Sequence, residues 1–109
     1  SRIMILTAYK GRDGTVTIPI QHDPLGGNNF VDLSLVNARV EFDAITSAID
    51  SDGPNVEING NEVTLKLGAL DLKTGSYDNC QLIIYNETYT DGKVIAGPGK
   101  EIVILNFYE

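Results

Sequence analysis

The sequence predicts an all-β domain, a sandwich or barrel of seven or eight short antiparallel strands. Apolar residues recur at every second position in one segment after another. Turn signals rich in glycine and asparagine separate those segments at regular spacing, and no stretch keeps a helical period long enough for a major helix. The chain of 109 residues suits a single domain, 1–109. At 42% hydrophobic residues it can bury a core without staples.

Taken in order, Val16, Ile18 and Ile20 alternate with Thr15, Thr17 and Pro19. Ala38, Val40, Phe42 and Ala44 alternate with Asn37, Arg39, Glu41 and Asp43. Val56 and Ile58 alternate with Glu57 and Asn59, and Val63, Leu65 and Leu67 with Thr64 and Lys66. Each reads as a strand with one buried and one wet face. Between them fall Lys10–Gly14, Asp23–Asn29, Asp52-Gly53-Pro54, Asn59-Gly60, Lys73-Thr74-Gly75, Asp91-Gly92 and Gly97-Pro98-Gly99. A two-residue loop at Asn59-Gly60 would pair Val56 with Val63 but set Ile58 against Asn61. A loop over Asn59–Glu62 pairs Ile58 with Val63 and Val56 with Leu65, which buries more apolar area on one face and is preferred. Ala44–Asp50 could form one turn or a short helix, being too brief and too β-branched for more. No internal repeat, linker or low-complexity segment is read from the chain.

Fifteen acidic and eight basic residues, spread along the chain, give a net charge of −7. Coulomb repulsion then argues against nucleic acid and anionic lipid as partners. No apolar run approaches the ~20 residues that span a bilayer, and Ser1–Leu6 is too short for a signal-peptide core. The lone Cys80 excludes an internal disulfide, which leans toward a reducing compartment or a particle assembled inside a cell. Its alternation with Leu82 and Ile84 reads as a buried, inert thiol.

Tests for chemistry fail one by one. Gly97-Pro98-Gly99-Lys100-Glu101 lacks the upstream glycine and following Ser/Thr of a phosphate loop and reads as a turn. Asp50, Asp52 and Asn55 supply oxygens for a loose calcium site, but Asn55 and Asn61 stand where an EF-hand needs Gly and Glu; an acidic turn is the simpler reading. His22 is the only histidine and no serine sits in a nucleophile elbow, so His22 reads as an exposed loop residue. Glu41 and Asp43 share one strand face without a desolvating pocket for acid–base work. Asn86-Glu87-Thr88 is a glycosylation sequon, meaningful only in a secreted eukaryotic protein. The expectation is a non-enzyme with no cofactor and no metal.

Leu70 to Tyr77 places a leucine, a turn glycine and then a strand-opening tyrosine, the order of a tyrosine corner in Greek-key sandwiches; Tyr77 would tie down the crossing loop through its hydroxyl. With no Trp and one Cys, the domain is expected to be Ig-like, without the disulfide of a true immunoglobulin domain.

The late strands break the one-sided pattern. Leu82 and Ile84 point one way, Ile83, Tyr85 and Tyr89 the other; in the last strand Ile102, Ile104 and Tyr108 oppose Val103, Leu105 and Phe107. Ile3–Leu6 is two-faced as well. If the two late strands lie side by side, Ile83, Tyr85, Tyr89, Ile102, Ile104 and Tyr108 form an apolar, tyrosine-bearing patch of the kind that marks protein interfaces. The alternative is local cover by the Asp23–Phe30 loop or the chain start.

The succession Tyr9-Lys10-Gly11, Thr15–Ile20, Val31-Asp32-Leu33, Ala38–Phe42, Asn61–Leu65, Thr74–Tyr77, Leu82–Tyr85 and Gly92–Ile95 resembles the Ig-like sandwich domains of tailed-bacteriophage virion proteins, such as N-terminal domains of baseplate components and receptor-binding-protein holders. The resemblance covers most of the chain through generic strand and turn patterns, and no functional residue carries over. It implies a structural part of a capsid, neck or tail, assembled in the bacterial cytoplasm as a homo-oligomer or with other virion proteins. Two other readings stand beside it. One is a carbohydrate- or cell-surface-binding sandwich with Tyr85 and Tyr89 as platforms, which the lack of Trp disfavours; the other is a small enzyme.

Overall fold

Alternating side chains decide which residues pair and which face goes inward. The computed structural model describes residues 3–22, 29–30 and 38–109, with side chains described at 3–20 and 38–109. The Asp23–Asn28 part of the second loop, Val31-Asp32-Leu33 and the side chain of His22 therefore lie outside the described residues.

The elements are β1 (Ile3–Tyr9), β2 (Val16–Pro19), β3 (Gln21–His22), β4 (Asn29–Phe30), β5 (Arg39–Asp43), β6 (Ala48–Asp50), β7 (Val56–Asn59), β8 (Glu62–Leu65), a 3-10 turn at Leu67–Ala69, β9 (Gly75–Tyr85), β10 (Lys93–Ala96) and β11 (Ile102–Tyr108). They make a larger sheet in the order β1-β11-β9-β5-β6, with β10 also on β9, a smaller sheet β2-β8-β7, and the ribbon β3-β4. The architecture is thus all-β among the described residues. Ala44–Asp50 is a bend followed by β6, not a helical turn.

The hairpin β7–β8 has the preferred register, Val56 opposite Leu65 and Ile58 opposite Val63, but its loop is shorter than the expected four residues: Asn59 pairs with Glu62 and the turn is Gly60-Asn61. β2 continues that sheet, Ile18 opposite Val63. Val40 and Phe42 of β5, Val63 and Leu65 of β8, Cys80, Leu82 and Ile84 of β9 and Val103, Leu105 and Phe107 of β11 join in one core with Leu6, Ala8 and Ile18. Both sheets therefore close on the same apolar layer, and each fully buried aliphatic or Phe side chain contributes about 1.5–3 kcal/mol. The Tyr77 hydroxyl donates to the Lys73 carbonyl, so it ties down the crossing loop as expected.

One pairing corrects the expectation of a purely antiparallel fold. β1 runs parallel to β11 in an unbroken register from Ile3–Ile102 to Tyr9–Tyr108, which makes the larger sheet mixed. Parallel partners need no hairpin between them, so no turn signal announces the pair. The exit from β1 is pinned by backbone bonds: Lys10 N–H donates to Tyr108 C=O and Gly11 N–H to Gly68 C=O, both at 2.8 Å. Gly68 must be glycine here, because a Cβ would lie 2.5 Å from the carbonyl oxygens of both Tyr9 and Arg12.

Candidate functional site

β9 changes partners along its eleven residues. Gly75–Cys80 pairs with β11, with a bulge between Val103 and Leu105, while Gln81–Tyr85 pairs with β5 and Leu82–Ile84 with β10. This places the six residues of the expected patch at two separate positions on the outer face. Ile83, Tyr85 and Tyr89 sit at the β5/β9/β10 end. Ile102, Ile104 and Tyr108 sit on β11, beside β1.

At the first position the apolar face is covered. Ile83 is only 8% exposed. Arg39, the cross-strand neighbour of Tyr85, lays its guanidinium 4.1 Å from the Tyr85 ring centroid. Three carboxylates hold that guanidinium: Asp50 at 3.2 Å, Glu41 at 3.6 Å and Asp52 at 3.9 Å. The Tyr85 hydroxyl donates to Glu41 Oε1 at 3.4 Å. Burial first, and the Glu41 carboxylate second, hold that hydroxyl above the usual phenol value. Gly92 lies against the same cluster; at φ 87° it closes a turn, and a Cβ there would come within 2.7 Å of the Tyr85 ring. Tyr89 remains exposed, with Lys93 Nζ 4.9 Å from its centroid.

The second position is bare. Ile3 and Ile5 are 60% and 64% exposed, Tyr9 and Tyr108 53% and 50%, and Ile102 and Ile104 are half-buried beside them. The register opposes Ile3 to Ile102, Ile5 to Ile104, Thr7 to Asn106 and Tyr9 to Tyr108, whose rings meet at 5.7 Å. The two strands are near copies, Ile3-Met-Ile-Leu-Thr-Ala-Tyr9 and Ile102-Val-Ile-Leu-Asn-Phe-Tyr108, and neither carries a charge. Seven residues are too few to make a domain-scale repeat. The signal lay in aligning the first two-faced strand with the last.

The remaining candidates have local duties. Asp50 Oδ2 faces Arg39 while Oδ1 accepts the Asp52 N–H at 2.9 Å. Among the described residues no three His, Cys, Asp or Glu side chains are grouped to hold a metal. Asn86 Oδ1 accepts the N–H groups of Thr88 and Tyr89, capping a turn. Gly97 and Lys100 close the β10–β11 turn through Gly97 N–H to Glu101 C=O and Lys100 N–H to Gly97 C=O. Cys80 is buried, and desolvation foremost, then Asp43 and Asp78, pushes its thiol up to about 11. Ile45, 63% exposed between β5 and β6, adopts φ 74° while its N–H donates to Asp43 Oδ1 at 2.7 Å. That conformation is costly for a β-branched residue.

Comparison of the chain with protein-family models, with curated proteins and with solved structures gave no match.

Proposed function

We propose that this chain is a non-enzymatic structural and assembly module that works through protein–protein contact on the outer face of β1 and β11. The observation that carries this reading is the uncharged double row of Ile3, Ile5, Ile102 and Ile104, closed by Tyr9 and Tyr108, on a domain whose other described apolar surface is largely covered. Contiguous exposed apolar area with tyrosine at its end is the composition of an interface. The fold reading behind it is an Ig-like Greek-key sandwich. In its support, β2-β8-β7 follows the B-E-D order of such a fold and β11-β9-β5-β6 the G-F-C-C′ order, and Tyr77 occupies the corner. The resemblance of the sequence to virion domains of tailed phages supplies the setting, a capsid, neck or tail.

Genomic context tests the class: capsid, portal or tail genes should flank the gene. Co-expression with the products of those neighbours tests the surface. Co-purification is expected for the natural chain and its loss for Ile104→Glu. Neighbouring genes for glycan metabolism together with glycan-array binding would overturn the reading in favour of a sugar-binding module. At Tyr85 that module would have to displace Arg39 from the ring.

A further inference from the structure

We propose that the outer edge of β1 is a self-association edge, to which a second copy of this chain adds its own β1 antiparallel, joining the two larger sheets into one. The inference rests on the assembly reading above and names its partner and its geometry.

Among the described residues the larger sheet ends at β1 and β6, with β10, a four-residue strand that opens on Lys93 and is broken by a register shift, as a further edge beside β9; the smaller sheet ends at β2 and β7. Open edges template further strands, and proteins blunt them with shortness, charge, proline or bulges. β6 has three residues and carries Asp50; β7 has four and an exposed Glu57; β2 has four and ends in Pro19. β1 has none of these devices. It is seven residues long, uncharged, free of proline and unbroken in register against β11. Its apolar, uncharged pattern is nearly that of β11, a strand that is paired on both sides.

Charge admits a second copy at this edge. The chain carries −7, but Ile3–Tyr9 holds none of those charges, so two β1 strands can approach without setting carboxylate against carboxylate. A basic partner would find no carboxylate there to pair with. A twofold axis places the same strand on both sides, so the rows Ile3-Ile5 and Thr7-Tyr9 of one copy lie across from those of the other. Edge pairing covers the open backbone side of a seven-residue strand and only the flanks of Ile3, Ile5 and Tyr9, well below the about 800 Å² per partner of a standard interface. So small an interface fits a weak, reversible dimer that is populated only at high concentration.

Sedimentation of the 109-residue chain from about 1 μM to about 1 mM tests it. The mass should double across that range, and Ile5→Lys and Thr7→Lys should each stay monomeric with unchanged circular dichroism. Both residues are exposed, so either variant serves if the other misfolds. Hydrogen exchange should show β1 amides gaining protection with concentration while β6 and β7 amides do not. A chain monomeric at 1 mM overturns the proposal. So does a dimer that Ile104→Lys weakens as much as Ile5→Lys with β1 exchange unmoved, because that pattern means face stacking. Either result leaves the co-purification test of the assembly reading intact, so the two can fail separately.

Discussion

The outer face of the larger sheet is built twice from two-faced apolar strands, and its two ends differ in what stands across from them. At the β5/β9/β10 end the cross-strand neighbour of Tyr85 is Arg39 and that of Ile83 is Glu41. A long side chain lies down over the ring, with three carboxylates to hold it, and the apolar surface is shut away. At the β1/β11 end the neighbour of each isoleucine is another isoleucine and that of the tyrosine another tyrosine. Nothing in those rows is long and polar enough to cover them. The lesson is that a two-faced strand says only that both faces are apolar. The neighbouring strand decides whether the outer face is lidded or offered, through the amphipathic reach of one arginine.

The comparison breaks most completely if β1 is dislodged. Gly68→Ala drives a methyl group into two backbone carbonyls that cannot yield without moving the β1–β2 connection, and is expected to cost about 3 kcal/mol, read as a lower urea midpoint. Loss of β1 protection in hydrogen exchange would show that the bare end fails first.

Cys80 lies under the point where β9 changes partners, and its titration tests whether the two ends share one floor. Its folded value is raised from 9.0 to about 11, so below pH 9 the thiol is neutral in both states and stability is flat. From pH 9 to about 11 the unfolded chain loses the proton while the folded one keeps it, and stability falls by about 2–3 kcal/mol. Urea titrations across that window should show a steeper loss in the natural chain than in Cys80→Ala, which keeps only the contribution of the raised Tyr85 hydroxyl.

Arg39→Met removes the charged head from the lid while keeping an apolar stem. The expected cost is about 1 kcal/mol, since partly exposed ion pairs contribute little and a stacked cation about 0.5–2 kcal/mol. The difference from the natural chain should shrink between 0.05 and 1 M salt. An unchanged midpoint at low salt would mean that the lid hides Tyr85 without stabilising the fold.

The last effect is a gain of similar size. Ile45→Gly relieves a left-handed β-branched residue at the tip beside the lidded end, and after the entropy glycine loses on folding should stabilise by about 1 kcal/mol. A destabilised variant would mean that the Ile45 side chain packs in a way its exposure does not convey.

Much of this was legible beforehand. The alternations at Val16–Ile20, Val40–Phe42 and Val56–Leu65 placed strands and their inward faces, because period two maps directly onto a pleated surface. The β7–β8 register followed from matching apolar pairs, and the Tyr77 hydroxyl bond from a leucine–glycine–tyrosine spacing. What stayed hidden was long-range. Arg39 and Tyr85 stand far apart on strands that no hairpin joins, and the β1–β11 pair carries no local signal. Of the six residues singled out for an interface, three lie on the bare β11 end. There they meet Ile3, Ile5 and Tyr9, which the two-faced start of the chain hinted at without naming.

The parallel pair has a kinetic consequence. Each contact between β1 and β11 joins residues a constant 99 positions apart, as 102 − 3 and 108 − 9 both show. Contacts of that span close late, because the loop entropy must be spent before they give anything back. On a ribosome adding about 5–20 residues per second, β1 emerges first and waits several seconds for its mate. During that wait its isoleucines and both of its edges are open to any other nascent copy. Every copy carries the same β1 and the same β11, so during that wait a neighbouring chain offers β1 the same register as its own.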